Sequence, residues 1–121
     1  MRPKVFITRN LPGNALERVK SVCDVDIFND DIPPSRQELL DRTKNKDGLL
    51  TLLTDRVDKE LLDTAPNLRV ISNYAVGFDN IDIEEASRRK IPVGNTPSVL
   101  TETTADLAFA LLAAGARRII E

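Results

Sequence analysis

The residues best suited to chemistry in this 121-residue chain lie in one segment, Asn73-Tyr74-Ala75-Val76-Gly77-Phe78-Asp79-Asn80-Ile81-Asp82. It joins a strand-like run, Leu68 to Ser72, to a helix that Asp82 can cap. In open α/β sheets ligands gather beyond the carboxyl ends of the strands, and a glycine-containing turn there can aim bare backbone N–H groups at an anion. The N–H groups of Val76 and Gly77 are therefore candidates for holding a small carboxylate. A plainer reading competes, a strand-to-helix turn in which Gly77 only supplies positive φ and Asp79 or Asp82 is the cap. Spacing alone favours the plainer one.

Other chemistries lack their residues. The chain has no histidine, the usual proton carrier near neutral pH, so an enzyme built from it alone needs another. A single cysteine, Cys23, can form neither an internal disulfide nor a Cys/His zinc site, and no metal site is expected. A phosphate cradle needs glycines close together, yet the closest pair here, Gly77 and Gly94, is 17 residues apart. After the first strand stands Thr8-Arg9-Asn10 rather than the acidic pair of a phospho-receiver, and Thr8 with Asn14 is thin support for a flavin-phosphate loop. With 17 Lys plus Arg against 19 Asp plus Glu, the net charge of −2 offers no field for nucleic acid or an anionic membrane. Met1-Arg2-Pro3-Lys4 leads into too few apolar residues for a signal peptide. The longest charge-free apolar stretch, Leu107 to Ala116, is about half a membrane span. A cytoplasmic protein of one unit with an ample core is expected.

The elements that would position the segment follow from pattern. Val5-Phe6-Ile7-Thr8 reads as a strand, Ala15 to Val22 as a surface helix, and Val25-Asp26-Ile27-Phe28 as a second strand. Ser35-Arg36-Gln37-Glu38 matches a capping box that opens a second helix. Gly48-Leu49-Leu50-Thr51-Leu52-Leu53 has neither charge nor alternation, as in a central parallel strand buried on both faces. Asp58 caps a short helix stopped by Pro66, Leu68 to Ser72 is a fourth strand, Asp82 caps a helix through Arg89, and Ile91-Pro92-Val93 is a last strand. This alternation predicts a flavodoxin-like three-layer α/β sandwich around a parallel sheet.

The closing segment, Thr101 to Glu121, predicts one long helix of about 30 Å, acidic at its start and basic at its end. From Leu107 to Ala116 no face is polar, so the helix needs neighbours that a domain of this size can supply on one side only.

Two runs carry a resemblance. Val70 to Asp82 and Asn95-Thr96-Pro97-Ser98-Val99-Leu100-Thr101-Glu102-Thr103-Thr104-Ala105-Asp106-Leu107-Ala108 closely resemble the D-2-hydroxyacid dehydrogenases, with the nearest look to archaeal glyoxylate or hydroxypyruvate reductases. The resemblance extends over essentially the whole chain. It implies an enzyme that interconverts 2-keto and D-2-hydroxy acids by hydride transfer with NAD or NADP. In such enzymes a flavodoxin-like substrate domain, formed by both chain ends, surrounds an inserted Rossmann domain. Residues 1–99 would be the N-terminal part of the substrate domain, and 100–121 the helix crossing to the absent cofactor domain. The Gly-rich fingerprint, the carboxylate-clamping arginine and the Glu–His proton shuttle lie further along in relatives. No catalytic residue is therefore assigned here, and no bound cofactor is expected for this chain alone.

By the same resemblance, the backbone of Val76 and Gly77 would bind the substrate carboxylate, Leu53 would line the pocket, Asn73 and Tyr74 would support the loop, and Thr104 would face the cofactor. Each has a competing reading. Leu53 is equally a core residue; Tyr74 a half-buried tyrosine with its hydroxyl satisfied; Thr104 a helix residue bonded back to a carbonyl. Arg117 and Arg118 read as dipole partners and Cys23 as inert. The family also implies a homodimer or a helix-swapped oligomer formed through the apolar helix. The rival from another class is a non-catalytic interaction module that docks through that helix.

Overall fold

The computed structural model describes residues 1–120. Strands and helices alternate among them: β1 (Lys4–Ile7), α1 (Ala15–Val22), β2 (Asp24–Ile27), α2 (Arg36–Thr43), β3 (Gly48–Thr51), α3 (Lys59–Thr64), β4 (Val70–Asn73), α4 (Ile83–Arg88), β5 (Val93–Gly94) and α5 (Thr101–Ala116). The strands form one sheet in the order β2-β1-β3-β4-β5, parallel throughout, which is the expected flavodoxin-like arrangement. The order reverses at β1, which has β2 on one edge and β3 on the other. Right-handed crossovers therefore place α1 on one face and α2, α3 and α4 on the other, making three layers.

Hydrophobic burial is concentrated on the second face. Phe6, Leu49, Ile71 and Val93 stand abreast across β1, β3, β4 and β5. Leu39 of α2, Leu61 and Leu62 of α3, and Ala86 of α4 close over that row. On the opposite face Ile7 is buried beneath the α1 side, but Val70 is 46% exposed. Among the described residues no helix is long and apolar enough to cross a membrane.

Local chemistry fixes the helix starts. The Ser35 hydroxyl accepts from the Glu38 N–H at 3.3 Å while the Glu38 carboxylate accepts from the Ser35 N–H at 2.9 Å, completing the capping box. Asp58 and Asp82 cap α3 and α4 by accepting from the Leu61 and Glu85 N–H groups, each cap contributing about 1 kcal/mol. Helix α4 ends with the Lys90 N–H on the Ser87 carbonyl and the Ile91 N–H on the Ala86 carbonyl, both at 2.9 Å. This Schellman turn puts Lys90 at φ 59°.

The strand ends shift by one or two residues throughout, β4 and β5 included, and two boundaries change the reading. Strand β3 ends at Thr51, so Leu52 and Leu53 lie beyond the sheet. Helix α5 ends at Ala116 rather than running on, because the Arg118 and Ile119 N–H groups turn back to the Gly115 and Ala114 carbonyls with Arg118 at φ 51°. Arg117 is the C-cap, and Glu121 lies outside the described residues. No residue of α5 is buried, and Leu107, Phe109, Leu111 and Leu112 are all exposed.

Ion pairs knit the helical layer. Arg36 of α2 reaches Asp58 and Glu60 beside α3 at 2.5 and 2.7 Å. Arg89, just past α4, pairs with Glu85 and Asp63. Arg42 pairs with Asp26 and lies over the rings of Phe6 and Phe28, 4.7 and 5.4 Å from their centroids. Burial works against the Asp26 charge, but the Arg42 and Lys46 cations more than offset it and hold the carboxyl below its usual range. Asp58 behaves likewise, with burial outweighed by Arg36 and the Leu61 N–H.

A carboxyl depressed in the folded state stabilises the fold above its unfolded pKa, and that contribution disappears as pH falls through the folded value. The urea midpoint should therefore fall as pH drops below about 4, and Arg42→Met should make the fall shallower; an equal slope in the two proteins would contradict the Asp26 assignment. Lys90→Gly, relieving the left-handed backbone, should raise stability by about 0.5 kcal/mol in the same assay.

Candidate functional site

The parallel sheet brings the loops that follow β1, β3 and β4 to one edge, beside the point where strand order reverses. These loops are joined by a network of buried polar side chains. Thr8, just past β1, donates its hydroxyl to Asp55 Oδ2 at 2.5 Å, and the same oxygen accepts the Leu52 N–H at 2.8 Å. Asp55 is 2% exposed, and its Oδ1 has no partner among the described residues. This carboxylate holds the Leu52-Leu53-Thr54 turn against the end of β1.

The second part of the network consists of two carboxamides. Asn73 accepts from the Thr51 hydroxyl at 2.9 Å, and its Nδ2 donates to the Gly77 carbonyl at 3.0 Å and to Asn80 Oδ1 at 3.1 Å. Asn80 Nδ2 donates to the Leu52 and Asp55 carbonyls at 3.0 and 2.9 Å. Asn73 thus shapes its own loop from within, and Asn80 staples it to the loop after β3. The backbone adds Tyr74 N–H to the Thr51 carbonyl at 2.7 Å, with Val57 and Ile81 bridging at the loop's far end.

The loop after β4 has a consistent polarity. Five of its carbonyls are engaged: Ala75 accepts from the Thr96 N–H, Val76 from Asn95 Nδ2, Gly77 from Asn73 Nδ2, Phe78 from the Ile81 N–H and Asn80 from the Val57 N–H. Of its N–H groups, none from Val76 to Asn80 has an acceptor among the described residues. Bare, adjacent N–H groups on a fixed backbone suit an anion. Around them Tyr74, Val76 and Phe78 are 41 to 49% exposed, and Leu53 is 60% exposed.

The residues expected from sequence are placed as follows. Asn73, Tyr74, Val76 and Gly77 share this loop, and Leu53 lies on the neighbouring one. The core reading of Leu53 does not hold, because β3 stops two residues before it. The plainer reading of Gly77 also fails in its detail, since Gly77 has no positive φ and a Cβ there would meet nothing within 4 Å. Asp82, rather than Asp79, is the cap. Thr104 is exposed in the first turn of α5. Cys23 is half-buried at the C-cap of α1. Sequence reasoning missed Thr8, Asp55, Asn80 and Asn95 as a network. Their signal was weak, polar residues just beyond strand ends, where turns commonly place them.

Asn80→Ala should cost about 2–3 kcal/mol, since it leaves the Leu52 and Asp55 carbonyls without their donor. Gly77→Ala should change stability by less than about 1 kcal/mol. Chemical denaturation of the two variants checks the contrast; equal costs would contradict it.

Comparison with known proteins bears on what the loop serves. A family model described as D-isomer specific 2-hydroxyacid dehydrogenase, catalytic domain, matches residues 5–119. The glyoxylate reductase of Thermococcus litoralis is 55% identical over 121 residues, covering 100% of this chain and 37% of that protein. The crystal structure of a protein from Thermus thermophilus superimposes with a TM-score of 0.87 at 45% identity, over 97% of this chain and 38% of that one. The NADPH-dependent glyoxylate/hydroxypyruvate reductase of Sinorhizobium meliloti, in complex with NADP and malonate, gives a TM-score of 0.69 at 28% identity, over 94% and 34% of the two chains. This chain therefore spans little more than a third of the length of the curated relatives it matches.

Proposed function

This chain belongs to the D-isomer specific 2-hydroxyacid dehydrogenase family, and on that premise we propose that it is the substrate-binding part of an NAD(P)-dependent oxidoreductase of glyoxylate/hydroxypyruvate type. The observation that carries the proposal is the loop in which the Ala75, Val76 and Gly77 carbonyls are each engaged while the N–H groups of Val76 and Gly77 have no acceptor among the described residues. A 2-keto acid offers one carboxylate beside one carbonyl. Two adjacent N–H groups on the carboxylate form charge-assisted hydrogen bonds and set the direction in which the keto carbon points. Leu53 and Tyr74 wall the small substrate, and Asn73 keeps the loop in shape. Malonate in the Sinorhizobium meliloti relative carries the same chemical group.

The rest of the reaction needs parts that this sequence does not carry. Hydride transfer is the chemistry a nicotinamide cofactor supplies when bound. The residues here do not form a dinucleotide cradle: the glycines are scattered, and the loop bearing Gly77 is committed to a different geometry. Thr104 on α5 is the one residue we assign to the cofactor side. With no histidine and no guanidinium engaged at the loop, the chain holds and orients the acid but gives no proton to the developing alkoxide. Residues 1–99 are then the substrate domain, and 100–121 lead to the cofactor domain. The exposed apolar surface of α5, Leu107, Phe109, Leu111 and Leu112, fits burial against that domain or a second subunit better than lasting contact with water.

Titration of the ¹⁵N-labelled chain with glyoxylate should shift the Val76 and Gly77 amide resonances, with a dissociation constant of roughly millimolar order. Glycolaldehyde, of similar size but without the carboxylate, should not shift them. Shifts confined to other residues, or equal shifts with both compounds, would contradict the assignment. The same chain should show no oxidation of NADH or NADPH with glyoxylate, and turnover proportional to purified protein would contradict the division of labour.

A further inference from the structure

In a trans peptide the carbonyl of one residue and the N–H of the next lie in one plane and point in opposite directions. Whatever grips the carbonyl therefore aims the N–H. The Val76 N–H shares its peptide with the Ala75 carbonyl, which accepts from the Thr96 N–H at 2.9 Å. The Gly77 N–H shares its peptide with the Val76 carbonyl, which accepts from Asn95 Nδ2 at 2.8 Å. Two consecutive residues just past β5 thus hold, from behind, two consecutive peptides whose N–H groups face outward. Their own place is set by the pairing of Gly94 with Ser72, which ties this segment to the strand the loop leaves.

We infer that Asn95 is a positioning residue for the carboxylate site, its side chain orienting the Val76–Gly77 peptide so that the Gly77 N–H is presented to the ligand. The inference rests on the proposed role of that N–H. A hydrogen bond to the carbonyl also polarises its peptide and strengthens the N–H as a donor. The two grips differ in kind. Thr96 acts through its backbone and cannot be removed by changing a side chain, whereas Asn95 acts only through its carboxamide. Replacement at 95 therefore releases one peptide and leaves its neighbour held. Asn95 is half-buried at the surface and is outside the hydrophobic core, so its replacement can be read without losing the fold.

The test uses the ¹⁵N-labelled chain with Asn95→Ala and Asn95→Asp, the second keeping the shape but facing the Val76 carbonyl with an oxygen. Without ligand, the Gly77 amide proton should move upfield in both variants while that of Val76 stays within the scatter of distant residues. With glyoxylate, affinity should fall by about threefold to tenfold. An unmoved Gly77 resonance, equal movement at Val76 and Gly77, unchanged affinity in a folded variant, or unfolding of both variants would each overturn the inference, the last by making Asn95 a residue of stability alone. If the unaltered chain binds no glyoxylate, the carboxylate reading fails, and the contrast between Gly77 and Val76 still decides whether Asn95 orients the peptide.

Discussion

Two side-chain amides, Asn73 and Asn80, hold together the loops proposed to bind the substrate. Parallel strands end with their loops side by side, but nothing in the sheet itself makes neighbouring loops adopt one shape. Here Asn73 satisfies a carbonyl within its own loop, and Asn80 satisfies two carbonyls of the next. Such groups are costly to bury unpaired, so each makes the others' positions obligatory. The consequence is a stretch of backbone in which the Ala75, Val76 and Gly77 carbonyls are engaged and the N–H groups from Val76 to Asn80 have no acceptor among the described residues. That asymmetry, more than any one side chain, underlies the anion site proposed for the loop.

The same constraint explains why the site is incomplete yet well formed. Preorganised donors can orient a carboxylate without reorganising when it arrives. They cannot polarise a keto oxygen or deliver a proton. The loop edge is polar and internally hydrogen-bonded, while the apolar residues of α5 are exposed. One half of the sheet's α1 face is similarly bare at Val70. Surfaces of both kinds fit a domain that meets further protein.

Much of the architecture is legible in the sequence because local chemistry decides it. Ser35, Asp58 and Asp82 announce their helices, and each caps as the side chain requires. The charge-free run after Gly48 identifies a central strand, but its apolar character conceals where the strand stops. The ladder ends at Thr51, and the next two leucines lie beyond it, Leu53 exposed rather than core. The end of α5 is hidden because good helix formers continue past Ala116, whereas a left-handed Arg118 closes the last turn. Gly77 stands out in the sequence, yet neither a positive φ nor a close neighbour requires glycine there. The Asn73–Asn80–Asp55 network is not legible, since its bonds, with that from Thr8, join residues as much as 47 positions apart and carry no periodic signal. Asn95 is equally hidden, a polar residue in a connection until its partner carbonyl is seen.

The central claim is that the loop after β4 is already in its ligand-binding form before any ligand arrives. Crystal structures of the chain grown with and without glyoxylate test it most directly. The account predicts a carboxylate within hydrogen-bonding distance of the Val76 and Gly77 nitrogens, with the 73–80 backbone displaced by less than about 1 Å between the two. A ligand bound elsewhere, or a loop that reverses its peptides to receive it, would contradict the account.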